Sequence, residues 1–275
     1  LTPTWQSRTC SAEPNREMKL ANVSGTSQST LQSLANPTRF VAIVDRVLPW
    51  LLGATLLLFA VGLPLAFFTA PADYQQGETI RIMFVHVPAA WIGMFAYVVM
   101  ASAALGSLVW KHPLGDVAAR AAAPIGAAFT LICLVTGSLW GRPMWGAWWV
   151  WDARLTSMLV LFLMYLGLIA LWHTIEDPIR AGRVAAILIL VGVVNIPIIK
   201  FSVDWWYTLH QAASVFRFDG PTIYITMLIP LLVMSVAFMG LFGVLHLMAM
   251  KNEILRRRIR AIGMKAAYEG RRGEL

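Results

Sequence analysis

Residues 47–68 read VLPWLLGATLLLFAVGLPLAFF and carry no charged side chain. A bilayer's hydrocarbon core is about 30 Å thick, and crossing it takes roughly 20 apolar residues of α-helix. The run meets that length and is read as a membrane span. Working outward along the chain, five further segments read the same way: 88–110, 122–139, 155–172, 184–199 and 223–250. The third and fifth are short for a full crossing. The expected class is an all-α integral membrane protein with six transmembrane helices. Composition agrees, because the 275-residue chain is 58% hydrophobic and 13% charged, whereas soluble domains carry about 25% charged residues.

Lys and Arg give a direction. An even number of spans puts both tails and the 111–121 and 173–183 loops on one side, where 17 of the 22 basic residues lie. The basic side is cytoplasmic by the positive-inside rule, so N and C termini are expected inside. The net charge of +8 therefore reads as membrane topology and not as a nucleic-acid footprint. Residues 1–45 are polar and lack apolar periodicity, and read as a flexible extension. Residues 46–250 form the membrane domain, and 251–275 a basic cytoplasmic tail whose default partner is the anionic lipid surface. Neither C-x-x-C-H nor G-x-x-x-x-G-K-[ST] occurs, which excludes the usual covalent haem attachment and leaves any ATP-driven step to another subunit.

The outward side holds three longer loops, 69–87, 140–154 and 200–222. Seven of the twelve tryptophans fall there, with His86 and His210. Five of the seven belong to WGRPMWGAWWVWDARLT, residues 140–156. Trp50, Trp91, Trp110 and Trp172 lie near span ends and suit an aromatic belt. An interfacial anchor is the simplest account of the tryptophan run as well. Five rings spaced by Gly141, Pro143 and Gly146 exceed what an anchor needs, and the alternative is a shallow platform for a large flat ligand. Asp152 precedes a span and fits a helix N-cap. Arg154 offers a planar fork suited to a carboxylate. A lone histidine is more often structural than a ligand. Two beside a tryptophan shelf make an axial imidazole pair on a porphyrin iron an equal contender.

The stretch WGRPMWGAWWVWDARLT resembles the tryptophan-rich WWD segment of membrane haem-handling proteins. With FVHVPAAW around His86 and WWYTLHQ around His210, residues 40 to 250 are similar to the cytochrome c maturation protein C family, also called haem exporter protein C. The resemblance implies a bacterial inner-membrane protein that holds haem b non-covalently on the periplasmic face. His86 and His210 would be the axial ligands, and Trp140, Trp145, Trp148, Trp149 and Trp151 would contact the porphyrin. Gly141, Gly146, Asp152 and Arg154 follow as residues of the segment, and Trp205 and Trp206 as neighbours of the second histidine. Propionate contact by Arg154 is a chemical expectation. The implied partners are a periplasmic haem chaperone, an ATP-binding subunit, a second membrane subunit and a small membrane subunit, in an assembly of ABC-transporter type. The implied role is delivery, not catalysis.

Two rivals remain open at this stage. A haem lyase also carries a WWD segment, but is usually larger, with further histidines within the membrane. A haem permease needs polar or ionisable groups along its spans, and here Asn195 is one of few.

Overall fold

The computed structural model describes residues 36–273 apart from 213, 216 and 218, so most of the polar N-terminal extension lies outside the described residues. Helix α1 (Pro37–Pro64) runs into a π-turn over Leu65–Thr69, and a 3₁₀ turn over Glu78–Ile82 leads into α2 (Met83–Val109). Then come α3 (Gly115–Trp145), α4 (Ala153–Thr174), α5 (Pro178–Gly192), α6 (Asn195–Trp205) and α7 (Ile225–Gly273). Six segments are long and apolar enough to cross a membrane, α5 and α6 together making one of them. The protein is a multi-pass membrane protein. Among the described residues the only strand-type pairing is an isolated bridge, Asp73 to Gly77.

Local chemistry sets the helix ends. Asn36 caps α1 by accepting from the Thr38 amide at 2.9 Å, with Pro37 in the first turn, where its missing N–H costs nothing. Asp177 does the same for α5 through Ile179, again ahead of a proline. Two sequence expectations need correction. The third span is not short: α3 continues to Trp145 and carries the first part of the tryptophan run as helix. The fifth is not continuous: it breaks at Val193–Val194, between α5 and α6. Pro197 explains the break, since it cannot donate to the Val193 carbonyl four residues back and its ring would crowd it. Asn195 at the start of α6 donates to the Ser157 carbonyl at 3.0 Å, tying the break to α4.

The core lies between α2 and α3, whose facing sides are rich in alanine and glycine. Ala89, Ala96, Ala122 and Ala123 are fully buried. Lipid tails are as apolar as the helices, so close backbone packing, not hydrophobicity, drives such association. Gly126 shows how close: a Cβ there would stand 2.3 Å from Tyr165 of α4. The Tyr165 hydroxyl donates to the Gly93 carbonyl of α2 at 2.7 Å, joining three helices at one point. Helix α1 packs on α7. The basic segment after residue 250 continues α7 as one helix of 49 residues, about 70 Å long at 1.5 Å per residue and well beyond a bilayer core.

Candidate functional site

The tryptophan run divides at Gly146. Residues up to Trp145 are helical, and Gly146 ends α3 in the left-handed conformation (φ 74°), its amide bonded to the Arg142 carbonyl at 3.1 Å. Only glycine adopts that conformation readily, and it is the usual stop for a helix. The chain then turns back: Ser138 on α3 donates to the Trp148 carbonyl at 2.8 Å. Asp152 starts α4 as an N-cap, its Oδ1 accepting from the Leu155 amide at 2.8 Å, as the sequence led us to expect.

Helical continuation places side chains that a loop would not. Gly137, Trp140, Gly141, Met144 and Trp145 recur at helical spacing and line one face of a cavity of about 360 Å³. That volume is at the lower end of the ~300–1,000 Å³ usual for small-molecule sites. A Cβ on Gly141 would sit 3.1 Å from the Trp145 ring, so this glycine lets the indole lie back against the helix. Trp149 enters the same cavity from the loop, and Arg154 from α4. Trp148 and Trp151 are 56% and 75% exposed and lie outside it, as do Trp205 and Trp206 at the end of α6.

Both histidines line this cavity. His86 is not in a loop but in the first turn of α2, half-buried against α3. Its Nδ1 lies 3.0 Å from the Cys133 carbonyl and 3.1 Å from the Thr136 hydroxyl. A carbonyl only accepts, so Nδ1 carries the proton and Nε2 keeps its lone pair. Gly137 makes the fit possible: a Cβ there would come within 2.9 Å of His86 Cε1. The ring also meets Trp140 edge-on at 5.7 Å.

His210 sits in the 206–224 segment. Its Nδ1 is 3.4 Å from Asp152 Oδ2, a long hydrogen bond, and its ring stands 5.1 Å from Trp145. Asp152 therefore has two tasks, one oxygen capping α4 and the other facing His210. Burial holds the His210 imidazole below the usual histidine pKa, and the Asp152 carboxylate opposes part of that shift. At neutral pH the ring is neutral, with Nδ1 protonated toward the carboxylate and Nε2 left as a donor atom. The two histidines thus share one arrangement: Nδ1 given to an oxygen acceptor, an indole edge alongside, and Nε2 unprotonated. That arrangement fixes tautomer and ring orientation in metal-ligating histidines.

Arg154 does something the sequence did not suggest. Its Nε donates to Ser202 Oγ at 3.0 Å, and Nη2 to the Ile199 and Lys200 carbonyls at 3.3 and 3.2 Å. The guanidinium clamps the last turns of α6 to the head of α4, and forms no ion pair with Asp152 among the described residues. Sequence reading also passed over Gln76, whose Oε1 accepts from Trp140 Nε1 at 3.0 Å, and Lys200, which lines the cavity. Gly137 was missed too, although its place one helical turn before Trp140 and Gly141 was visible. Trp149 Nε1 is buried with no hydrogen-bond partner among the described residues.

Residues 30–265 match the heme exporter protein C family. Heme exporter protein C of Bradyrhizobium diazoefficiens is 65% identical over 238 residues, 86% of this chain and 90% of that protein. The protein of the same name from Escherichia coli K12 is 51% identical over 226 residues, covering 82% and 91%. A Marchantia polymorpha mitochondrial protein, described as ccmC-like in cytochrome c biosynthesis, is 46% identical over 222 residues, covering 81% and 94%. With the family match spanning most of the chain and its relatives matched over nearly their full length, this chain belongs to the heme exporter protein C family.

Proposed function

We propose that the protein binds haem b non-covalently in the tryptophan cavity and presents it to a periplasmic haem chaperone during cytochrome c maturation. One observation carries the reading: His86 and His210 line a single cavity, each with Nδ1 committed to an acceptor and Nε2 free to bind iron. Iron(II) or iron(III) protoporphyrin takes two such nitrogens as axial ligands. Trp140, Trp145 and Trp149 remove porphyrin surface from water, at about 25 cal/mol per Å² of apolar area covered. The unpartnered Trp149 Nε1–H and the Lys200 ammonium are donors for propionate oxygens. They supplement Arg154, whose guanidinium is largely occupied with α6.

Trp148, Trp151, Trp205 and Trp206 remain exposed. They form the rim across which an incoming chaperone docks, not the porphyrin floor. Basic-residue bias supports a cavity on the periplasmic side of the bacterial inner membrane, with N and C termini in the cytoplasm. The chain acts as a delivery scaffold within an ABC-transporter-type complex. The ATP-binding subunit supplies hydrolysis, and a second membrane subunit and a small membrane subunit complete the assembly. The test is the absorption spectrum of the haem-loaded protein with His86→Ala and His210→Ala beside it. Each variant is expected to lose the six-coordinate low-spin bands, and an unchanged spectrum in both overturns the axial pair.

A further inference from the structure

The end of the bundle remote from the tryptophan cavity holds a second, polar pocket. Asp152 at the head of α4 belongs to the first site and Trp172 near its tail to the second, about 30 Å apart along the helix. The second pocket has a volume of about 340 Å³ and is enclosed by the starts of α3 and α5, the end of α4 and the basic stretch of α7. Its charged lining is three arginines, Arg120, Arg256 and Arg260, against one carboxylate, Glu176.

Those arginines are only partly neutralised. Arg120 and Arg256 share one carboxylate, Glu253, at 3.5 and 3.7 Å. Glu253 itself is bonded to Arg257 at 2.9 Å, which also pairs with Asp116. Arg260 is exposed and forms no ion pair among the described residues. The pocket wall includes Trp172, only 6% exposed, and its Nε1–H is buried with no hydrogen-bond partner among the described residues. A belt tryptophan would keep that N–H wet. Here the N–H is withdrawn from water, in the wall of a pocket lined by three arginines, and has no acceptor among the described residues.

We propose that this pocket binds the phosphate of an anionic phospholipid headgroup. Guanidinium forks match phosphate oxygens in two-point fashion, and the indole N–H supplies one further donor. Depth agrees, because the pocket lies where the apolar part of α7 gives way to its basic extension, at the level of a headgroup. Basic pockets between transmembrane helices are suited to such lipids. A bound headgroup would brace α3, α4, α5 and α7 at the end opposite the cavity.

Native mass spectrometry of the delipidated full chain, with single lipids added back, tests this. Phosphatidylglycerol is expected to give one retained adduct per chain and phosphatidylcholine none. Arg256→Gln with Arg260→Gln should cut the adduct roughly tenfold or more. Trp172→Phe, which keeps the ring bulk and removes the N–H, should cut it roughly threefold. Arg271→Gln with Arg272→Gln removes the same charge at the exposed end of α7 and should leave it unchanged. Should the first double variant lose helical content, Arg260→Gln alone makes the same test. Equal adducts with phosphatidylcholine, no change in the Arg256/Arg260 variant, or an equal loss in the Arg271/Arg272 variant overturns the site. Inorganic phosphate binding that responds to Arg256 and Arg260, without a phosphatidylglycerol adduct, keeps the phosphate site and overturns its lipid source.

Discussion

His86 and His210 present the same nitrogen to the same cavity, but the fold holds them in opposite ways. His86 stands on a helix, its Nδ1 bonded to a main-chain carbonyl of a second helix and its ring seated over Gly137. Displacing it means breaking that bond or rotating the ring out of its seat. His210 stands on no helix or strand among the described residues and relies on Asp152, a side chain, over 3.4 Å. One ring is built into the helix bundle; the other is attached to it by a single long side-chain hydrogen bond. For the proposed delivery role such inequality is useful, since one bond to iron would weaken while the other kept the porphyrin in place.

The largest effects come from deleting either ring. In His86→Ala the haem content of the purified protein should fall most, because the fixed ligand is lost. His210→Ala should retain haem through His86 as a five-coordinate high-spin species. Haem content by pyridine haemochromogen assay, read with the absorption spectrum, separates the two. Equal retention in both variants would break the contrast between a fixed and a tethered histidine.

Asp152→Asn is the next step down. Asparagine caps a helix as well as aspartate does, so α4 should keep its start. If the asparagine oxygen stays on the Leu155 amide, its NH₂ faces His210 Nδ1. The ring must then accept there and carry its proton on Nε2, where iron would bind. Loss of such an orienting partner typically costs 10–100-fold in metal affinity. Unaltered affinity by haem titration would show that His210 does not depend on Asp152.

The six spans were legible because length and hydropathy are local properties, and the fold needs little else at that level. The tryptophan run was legible as a candidate site for the same reason: its density is excessive for an anchor. Its geometry was not. Pro143 and Gly146 in WGRPMWG read as breakers, yet α3 persists through Pro143 and stops only at Gly146. Only that persistence puts Trp140 and Trp145 on the cavity face and leaves Trp148 and Trp151 outside. The break between α5 and α6 had a visible cause in Pro197, overridden in the reading by apolar residues on both sides. Gln76, Ser202 and Gly137 act through partners 64, 48 and 51 residues away, and no local pattern encodes such pairings.

Gly137→Ala sharpens the comparison from the other side. The added methyl would meet His86 Cε1 at 2.9 Å, and the ring must rotate or lose its bond to Cys133. Rotation off a favoured rotamer costs about 0.5–1.5 kcal/mol, which corresponds to roughly 2–10-fold in haem affinity. Electron paramagnetic resonance of the ferric haem should show a changed axial field from His86. Binding unaltered in both affinity and resonance would mean that His86 has room the helix contact denies.

The smallest effect is on pH, and it belongs to His210. Its folded-state pKa is lowered by burial, from an ordinary value of about 6.5. As pH falls through 6.5 the unfolded chain takes up the proton first, so this residue makes the fold less stable toward acid and contributes nothing above that range. Iron competes with the same proton. In His86→Ala, where His210 would be the remaining protein ligand, haem release on acidification should have its midpoint below pH 6.5, since the buried ring stays neutral longer than a free one. Replacing Asp152 by Asn removes the group that pulls this pKa upward, so whatever ligation by His210 survives should persist to still lower pH. Release from the His86→Ala variant with a midpoint above 6.5 would mean that Asp152 outweighs burial. The tethered histidine would then be charged near neutrality and would be the one that lets go first.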